Sequence, residues 1–331
     1  MEQPRSPRDP AQRRTDVTTE TIVRAEPDAD RPPVAAAPSA RRRGGTRGSR
    51  RKASIGLLLM APAIVAVLGL AIIPIVIVAR NSFAESNLYG GITGGFTFAN
   101  YAQLFDPAYG KVLGYSLGMA AINTIVCLVI GYIVSYYIVS RPPHRQSLLL
   151  LLIIVPFWTD FLVRTFAWIS VLGRGGPVYG LLGALGVDTG SLSLIPSQGA
   201  VIMGLLYAFL PTAIFPIYAS MRAIDPSVKE AAADLGCGWW QTHFRVLVPL
   251  SSTGIVAAAM LTFVPTLGVF VIPVLLGGGK DQLVGNLIVT LYTEFRNQPM
   301  GAAVSMVLLV LMLVAMAVAG LIARRGRKRV A

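Results

Sequence analysis

The stretch Lys229–Pro249, KEAAADLGCGWWQTHFRVLVP, decides how this chain is read. It is polar, charged and partly aromatic, and it stands between two long apolar runs. Asp225-Pro226 just ahead of it is a helix start, because aspartate caps free backbone N–H groups and proline suits the first helical position. SVKEAAADL is rich in helix formers. Gly236 can end that helix in a left-handed conformation, and WWQTHFRVLV predicts a second short helix up to Pro249. The expectation is a helix–glycine–helix hairpin over 225–249, carried between two membrane spans.

The rest of the chain supplies the membrane. Of 331 residues 54% are hydrophobic and 14% charged, where an ordinary soluble domain carries about 25% charged. Crossing a bilayer takes about 20 apolar residues of helix, and six runs are long enough, near 55–79, 112–139, 148–172, 199–221, 249–276 and 301–323. The fold class is therefore an all-α polytopic membrane protein with six transmembrane helices over 53–323. Residues 1–52 are poor in aliphatic and aromatic clusters and are expected to be a disordered basic tail. Residues 324–331 form a second basic tail. The apolar run after residue 52 is too long for the core of a cleaved signal peptide.

Charge orients the spans. Segments 41–52, 140–147, 222–248 and 324–331 hold seven, two, three and five Lys and Arg, against five in all for 80–111, 173–198 and 277–300. Basic loops stay in the cytoplasm. Both termini and the 225–249 hairpin are thus expected inside, in a multi-pass protein of the cell membrane. The net charge of +13 resembles a nucleic-acid signal, but the basic clusters RRRGGTRGSRRK and RRGRKR flank spans, where they set topology and meet anionic lipid. No nucleic-acid partner is expected. On the outer side, FTFANYAQLFDPAYG predicts a helix lying at the membrane surface, and LYTEFRNQPMG the same.

Chemistry is sparse. Cys127 and Cys237 have no disulfide framework or ligand spacing, and His144 and His243 no metal partners, so no metal or cofactor is expected. No nucleophile–base pair points to an enzyme. GGGK at 277–280 is not a phosphate loop, since Asp281 follows the lysine. The third run, LLLLLIIVPFWTDFLVRTFAWISVL, is the one with buried charge. Asp160 and Arg164 are four apart, so on one helix face they can pair; they either line and gate a path or hold two helices together. Pro156, Pro211, Pro216, Pro265 and Pro273 free carbonyls within spans.

Glu230-Ala231-Ala232, three residues, Gly236, nine residues, then VLVP resembles the signature of the inner-membrane permeases of binding-protein-dependent ABC importers, with Val246 and Val248 in place of Ile and Leu. NYAQLFDP, IVPFWTDFLVRTFAW, GLLYAFLPTAIFPIYASM, LGGGKDQLVGNLI and QPMGAAVSM are similar to the first permease subunit of spermidine/putrescine importers. The resemblance implies that Glu230, Ala231, Ala232 and Gly236 dock on a separate ATPase, present in two copies, which hydrolyses the ATP. It implies a second permease subunit and an extracytoplasmic substrate-binding protein as further partners. Trp158, Asp160, Arg164 and Tyr207 become candidate path residues, with Trp158, Trp168, Tyr207 and Phe270 able to meet a polyamine by cation–π contact. Permeases for iron, sulfate or phosphonate share the general pattern. A secondary transporter would need its own coupling-ion site and paired broken helices, which the sequence does not display.

Overall fold

The computed structural model describes residues 47–87, 91–188, 190, 192–279 and 282–330, with side chains described between 61 and 323. The tail expected up to residue 46, Lys280, Asp281 and the side chains of RRGRKR lie outside the described residues. The chain divides into two units, 1–63 and 64–331. Of the first, the structure describes the opening turns of α1 (Arg47–Ser82), which begins inside the segment expected as tail.

In the second unit α1 ends at a small hairpin of β1 (Ala84–Ser86) and β2 (Ile92–Phe96), followed by the short α2 (Ala99–Gln103). The helix expected in FTFANYAQLF is thus five residues long, and the strands before it were not foreseen. Phe83 stacks on Phe96 at 5.1 Å and meets Tyr101 at 5.0 Å. The Asn100 amide donates to the carbonyls of Ser82 and Ala84, pinning the hairpin to the end of α1.

Then follow α3 (Pro107–Val139), α4 (Pro143–Phe157), α5 (Phe161–Leu172), α6 (Pro177–Ala184) and α7 (Gln198–Arg222). After these, α8 (Ser227–Asp234) leads to α9 (Trp239–Gln241), a π-helical stretch (Thr242–Leu247) and α10 (Val248–Leu250). The chain closes with α11 (Ser252–Gly268), α12 (Val271–Gly277), α13 (Val284–Thr293) and α14 (Gln298–Val330). The caps are local: Asp106 accepts from Ala108 N–H at 2.8 Å ahead of Pro107, and Ser197 accepts from Ala200 N–H at 3.1 Å.

Four helices are long and apolar enough to cross a membrane, within α1, α3, α7 and α14, or up to six if each of two bent pairs is one span. Two expected spans need correction. The run at 148–172 is not one helix: α4 stops at Phe157 and the chain turns by 85° into α5 and α6. Pro156 removes a backbone donor just before the break, and Thr159 Oγ1 donates to the Pro156 carbonyl at 2.7 Å. The run at 249–276 begins in α10, bends by 71° at Ser251 into α11, and breaks again at Val269–Phe270 before α12. There the Asn286 amide donates to the Phe270 carbonyl at 3.2 Å. The helix expected over LYTEFRNQPMG does not form as one piece: α13 ends at Thr293 and α14 begins at Gln298, while α13 buries Val284, Gly285 and Leu291.

Helices α3, α7 and α11 form the centre. Cys127, Ala213, Ile217, Met221 and Ala258 fill one core region, and Met119, Leu205, Ile272, Leu276 and Leu283 another. Several polar side chains between these helices pair with one another or with backbone, as a bilayer favours, while Thr124 Oγ1 and Tyr132 Oη on α3 are buried without a hydrogen bond. Asn123 Nδ2 donates to Thr266 Oγ1 at 3.0 Å, and Ser135 Oγ to the Ile214 carbonyl at 3.0 Å.

Candidate functional site

The hairpin forms as the local signals dictate. Asp225 Oδ1 accepts from Ser227 N–H at 2.9 Å, which holds the carboxyl below its ordinary range, with the Ser227 hydroxyl adding to the effect. At the other end of α8, Gly236 has φ +77°. Its N–H donates to the Ala233 carbonyl at 2.9 Å and the Cys237 N–H to the Ala232 carbonyl at 3.0 Å. Those two bonds make a Schellman turn, which satisfies the last helical carbonyls and reverses the chain. Among the four expected coupling residues, Ala232 is buried against the second limb, while Glu230, Ala231 and Gly236 are exposed. Leu235 at the tip is 84% exposed. The signature alone did not single it out, although an apolar residue beside a turn glycine invites the question.

The hairpin is braced on the inner end of α3. Lys229 Nζ sits over the Tyr136 ring, 5.0 Å from its centroid. The His243 ring lies 4.1 Å from Trp239 and 4.5 Å from Tyr136. His243 Nδ1 is 2.9 Å from the Trp239 carbonyl, which can only accept, so Nδ1 carries the proton. A second brace centres on Gln146. Its Oε1 accepts from Tyr218 Oη at 2.9 Å and from Arg222 Nη1, and its Nε2 donates to the Arg141 carbonyl at 2.7 Å. Gln146 therefore joins the α3–α4 turn to the end of α7, from which the hairpin leaves. Sequence reading missed Gln146, His243 and Tyr136 in these roles, because their partners are distant along the chain.

The four expected path residues divide. Arg164 and Tyr207 come together beside a groove of about 270 Å³ whose walls include Phe157, Pro211 and Ile214. Trp168 packs edge-on to Tyr207 at 5.7 Å. Pro211, inside α7, has no N–H to give the Tyr207 carbonyl four residues earlier. Trp158, 86% exposed, and Asp160, also exposed, stand at the break between α4 and α5 and do not line that groove. The expected Asp160–Arg164 pair is absent among the described residues. The i, i+4 spacing presumes a helix through both residues, but α5 begins at Phe161. Asp160 is its cap, accepting from Leu162 N–H at 2.8 Å and Val163 N–H at 3.4 Å. The Arg164 guanidinium instead lies over the Phe157 ring at 4.8 Å, with Nε buried and without a hydrogen bond.

Comparison with known proteins agrees with this geometry. Residues 128–328 match the family model described as binding-protein-dependent transport system inner membrane component. The chain is 41% identical over 217 residues to the spermidine/putrescine transport system permease protein PotB of Salmonella typhimurium, covering 66% of this chain and 76% of that one. It is 40% identical to PotB of Escherichia coli over the same share of this chain and 79% of the relative. The crystal structure of a bacterial alginate ABC transporter in complex with alginate pentasaccharide-bound periplasmic protein matches with a TM-score of 0.69 at 15% identity, over 84% of this chain and 96% of that chain. That likeness is one of fold. With its apolar helices and inward basic loops, the molecule is a multi-pass protein of the inner membrane. Its signature hairpin, its span pattern and the matched model together assign it: the chain belongs to the inner membrane components of binding-protein-dependent transport systems.

Proposed function

We propose that this chain is the first of two permease subunits of an ATP-driven polyamine importer, with spermidine and putrescine as substrates. The observation that carries the reading is the exposed Glu230–Gly236 turn, braced on α3 by Lys229 and His243. Identity of 40–41% to PotB supports the substrate class. A loaded binding protein docks on the outer segments, and two ATPase subunits close on ATP. The hairpin passes that motion to α3 and α7, which opens the path to each side in turn. Ala231 and the tip seat in a groove of the ATPase, and Glu230 supplies a charge-assisted contact to a basic residue there. Residues 225–249 act as the coupling element of a permease domain over 53–323. Asp160 attracts the amine at the helix break, and the Tyr207 ring receives it.

A second reading has its own observation. An arginine in the groove suits an anionic solute better than a polycation, which favours a permease for a sulfate- or phosphonate-like substrate. Reconstitution separates the two. The complex is placed in liposomes with ATPase and ATP inside, and uptake of labelled spermidine is measured with and without Glu230→Arg. ATP-dependent uptake lost in an assembled mutant supports the proposal. Full uptake in the mutant removes Glu230 from coupling. A wild-type complex stimulated by an oxyanion and not by spermidine supports the second reading.

A further inference from the structure

The groove holds a positive charge that the functional reading does not use. Arginine stays protonated at any accessible pH, and inside a membrane an ionisable side chain pairs or faces water. Among the described residues no acid pairs with Arg164, and its Nε is buried without a partner. The nearest acid in sequence is committed elsewhere, because Asp160 caps α5 through two backbone N–H groups.

Depth narrows the choice of anion. Helix α4 starts at Pro143, between the inner-side residues Arg141 and Arg145, and has 15 residues. At 1.5 Å per residue it climbs at most roughly 22 Å, short of the ~30 Å hydrocarbon thickness. The 85° turn then directs α5 nearly across the α4 axis. Arg164 thus lies below the outer phosphates. Its guanidinium is also held inward against Phe157, on a groove shared with α7. Asp160 and Trp158, at the break just ahead of α5, are exposed. An exposed carboxylate at that depth is covered by protein or water, not by acyl chains.

We infer that Arg164 receives a carboxylate side chain of the second permease subunit, so that the seam between the two permeases is fixed by an ion pair at the groove. The inference rests on the two-permease reading proposed above. A carboxylate matches the guanidinium fork with two parallel hydrogen bonds. It also removes the objection that the groove repels a polycation, because the arginine is neutralised from across the seam.

The test is recovery of the second permease with this chain from membranes holding the complete transporter. Wild type is compared with Arg164→Lys, Arg164→Gln and Arg164→Glu. Recovery should fall modestly for Lys, which keeps the charge and loses the fork, several-fold for Gln, and by about tenfold or more for Glu, where two carboxylates would face each other. Thermal melting of this chain purified alone should not follow that order. Equal recovery of all four proteins would overturn the inference while leaving the importer intact. The same charge order in the isolated chain would also overturn it, assigning the anion to the chain itself or to a lipid phosphate. A wild-type transporter that assembles with no second permease would overturn the two-permease reading and this inference together.

Discussion

Two glycines do different work at the residue scale. Gly254 lets α11 cross α7 closely: a Cβ there would lie 2.0 Å from Ser220 Oγ and 2.4 Å from the Pro216 carbonyl oxygen. Backbone cannot yield as a side chain can, so Gly254→Ala should cost about 1–3 kcal/mol as overpacking, seen as a lower melting temperature. Gly131 faces the same core, but its Cβ would meet Ala213 Cβ at 3.4 Å, an ordinary contact. Gly131→Ala should therefore be neutral or stabilising, since a helical alanine outranks glycine by about 1 kcal/mol. If both substitutions melt alike, the close crossing of α7 and α11 is wrong. Gly236 needs glycine for another reason, its left-handed φ, with no neighbouring atom in the way.

At the scale of elements, the hairpin was legible because its signals are local. Asp225, Pro226 and Gly236 mark start and stop within one stretch of chain, and each acts as its residue type dictates. The third span was not legible. Its apolar run continues unbroken through Trp158, and hydropathy carries no record of a turn between α4 and α5. The same continuity produced the wrong Asp160–Arg164 pair: helical spacing was applied across a helix start. Asp225 also sets a pH dependence. Its folded-state carboxyl is held low, chiefly by the Ser227 N–H, so its stabilising contribution is present above the unfolded value near 3.8 and is lost as pH falls through the lower folded value. The amides that open α8 should therefore keep full hydrogen-exchange protection at neutral pH, after correction for intrinsic rates, and lose it below the usual carboxylate range. Asp225→Asn, which caps nearly as well, should retain protection and abolish the acid step. An unchanged acid step in that variant would assign the loss to another group.

For the whole molecule, the apolar runs and the side expected for each loop were readable because a bilayer asks a minimum apolar length of a spanning helix and sorts basic loops to one side. Four helices are long enough to cross, however, and six are reached only if each bent pair is one span. The interior arrangement was not readable. Ser116 accepts from Val284 N–H, and Gln146 from Tyr218, across separations of 168 and 72 residues, and no local pattern encodes such meetings. The groove likewise depends on α4, α5 and α7 converging after a turn that the sequence hides. Orientation itself can be tested with the native cysteines. Cys237 sits on the hairpin and is partly exposed, whereas Cys127 is fully buried in α3. A membrane-impermeant maleimide should label Cys237 in inside-out vesicles and not in sealed right-side-out vesicles. Cys127 should stay unlabelled in both until the protein is denatured. A cysteine introduced at the exposed Asp188, on the outer side, should behave in the opposite way to Cys237. Labelling of Cys237 from outside would reverse the topology, and with it every assignment of the hairpin to an ATPase in the cytoplasm, because ATP and the basic loops would then lie on opposite faces of the membrane.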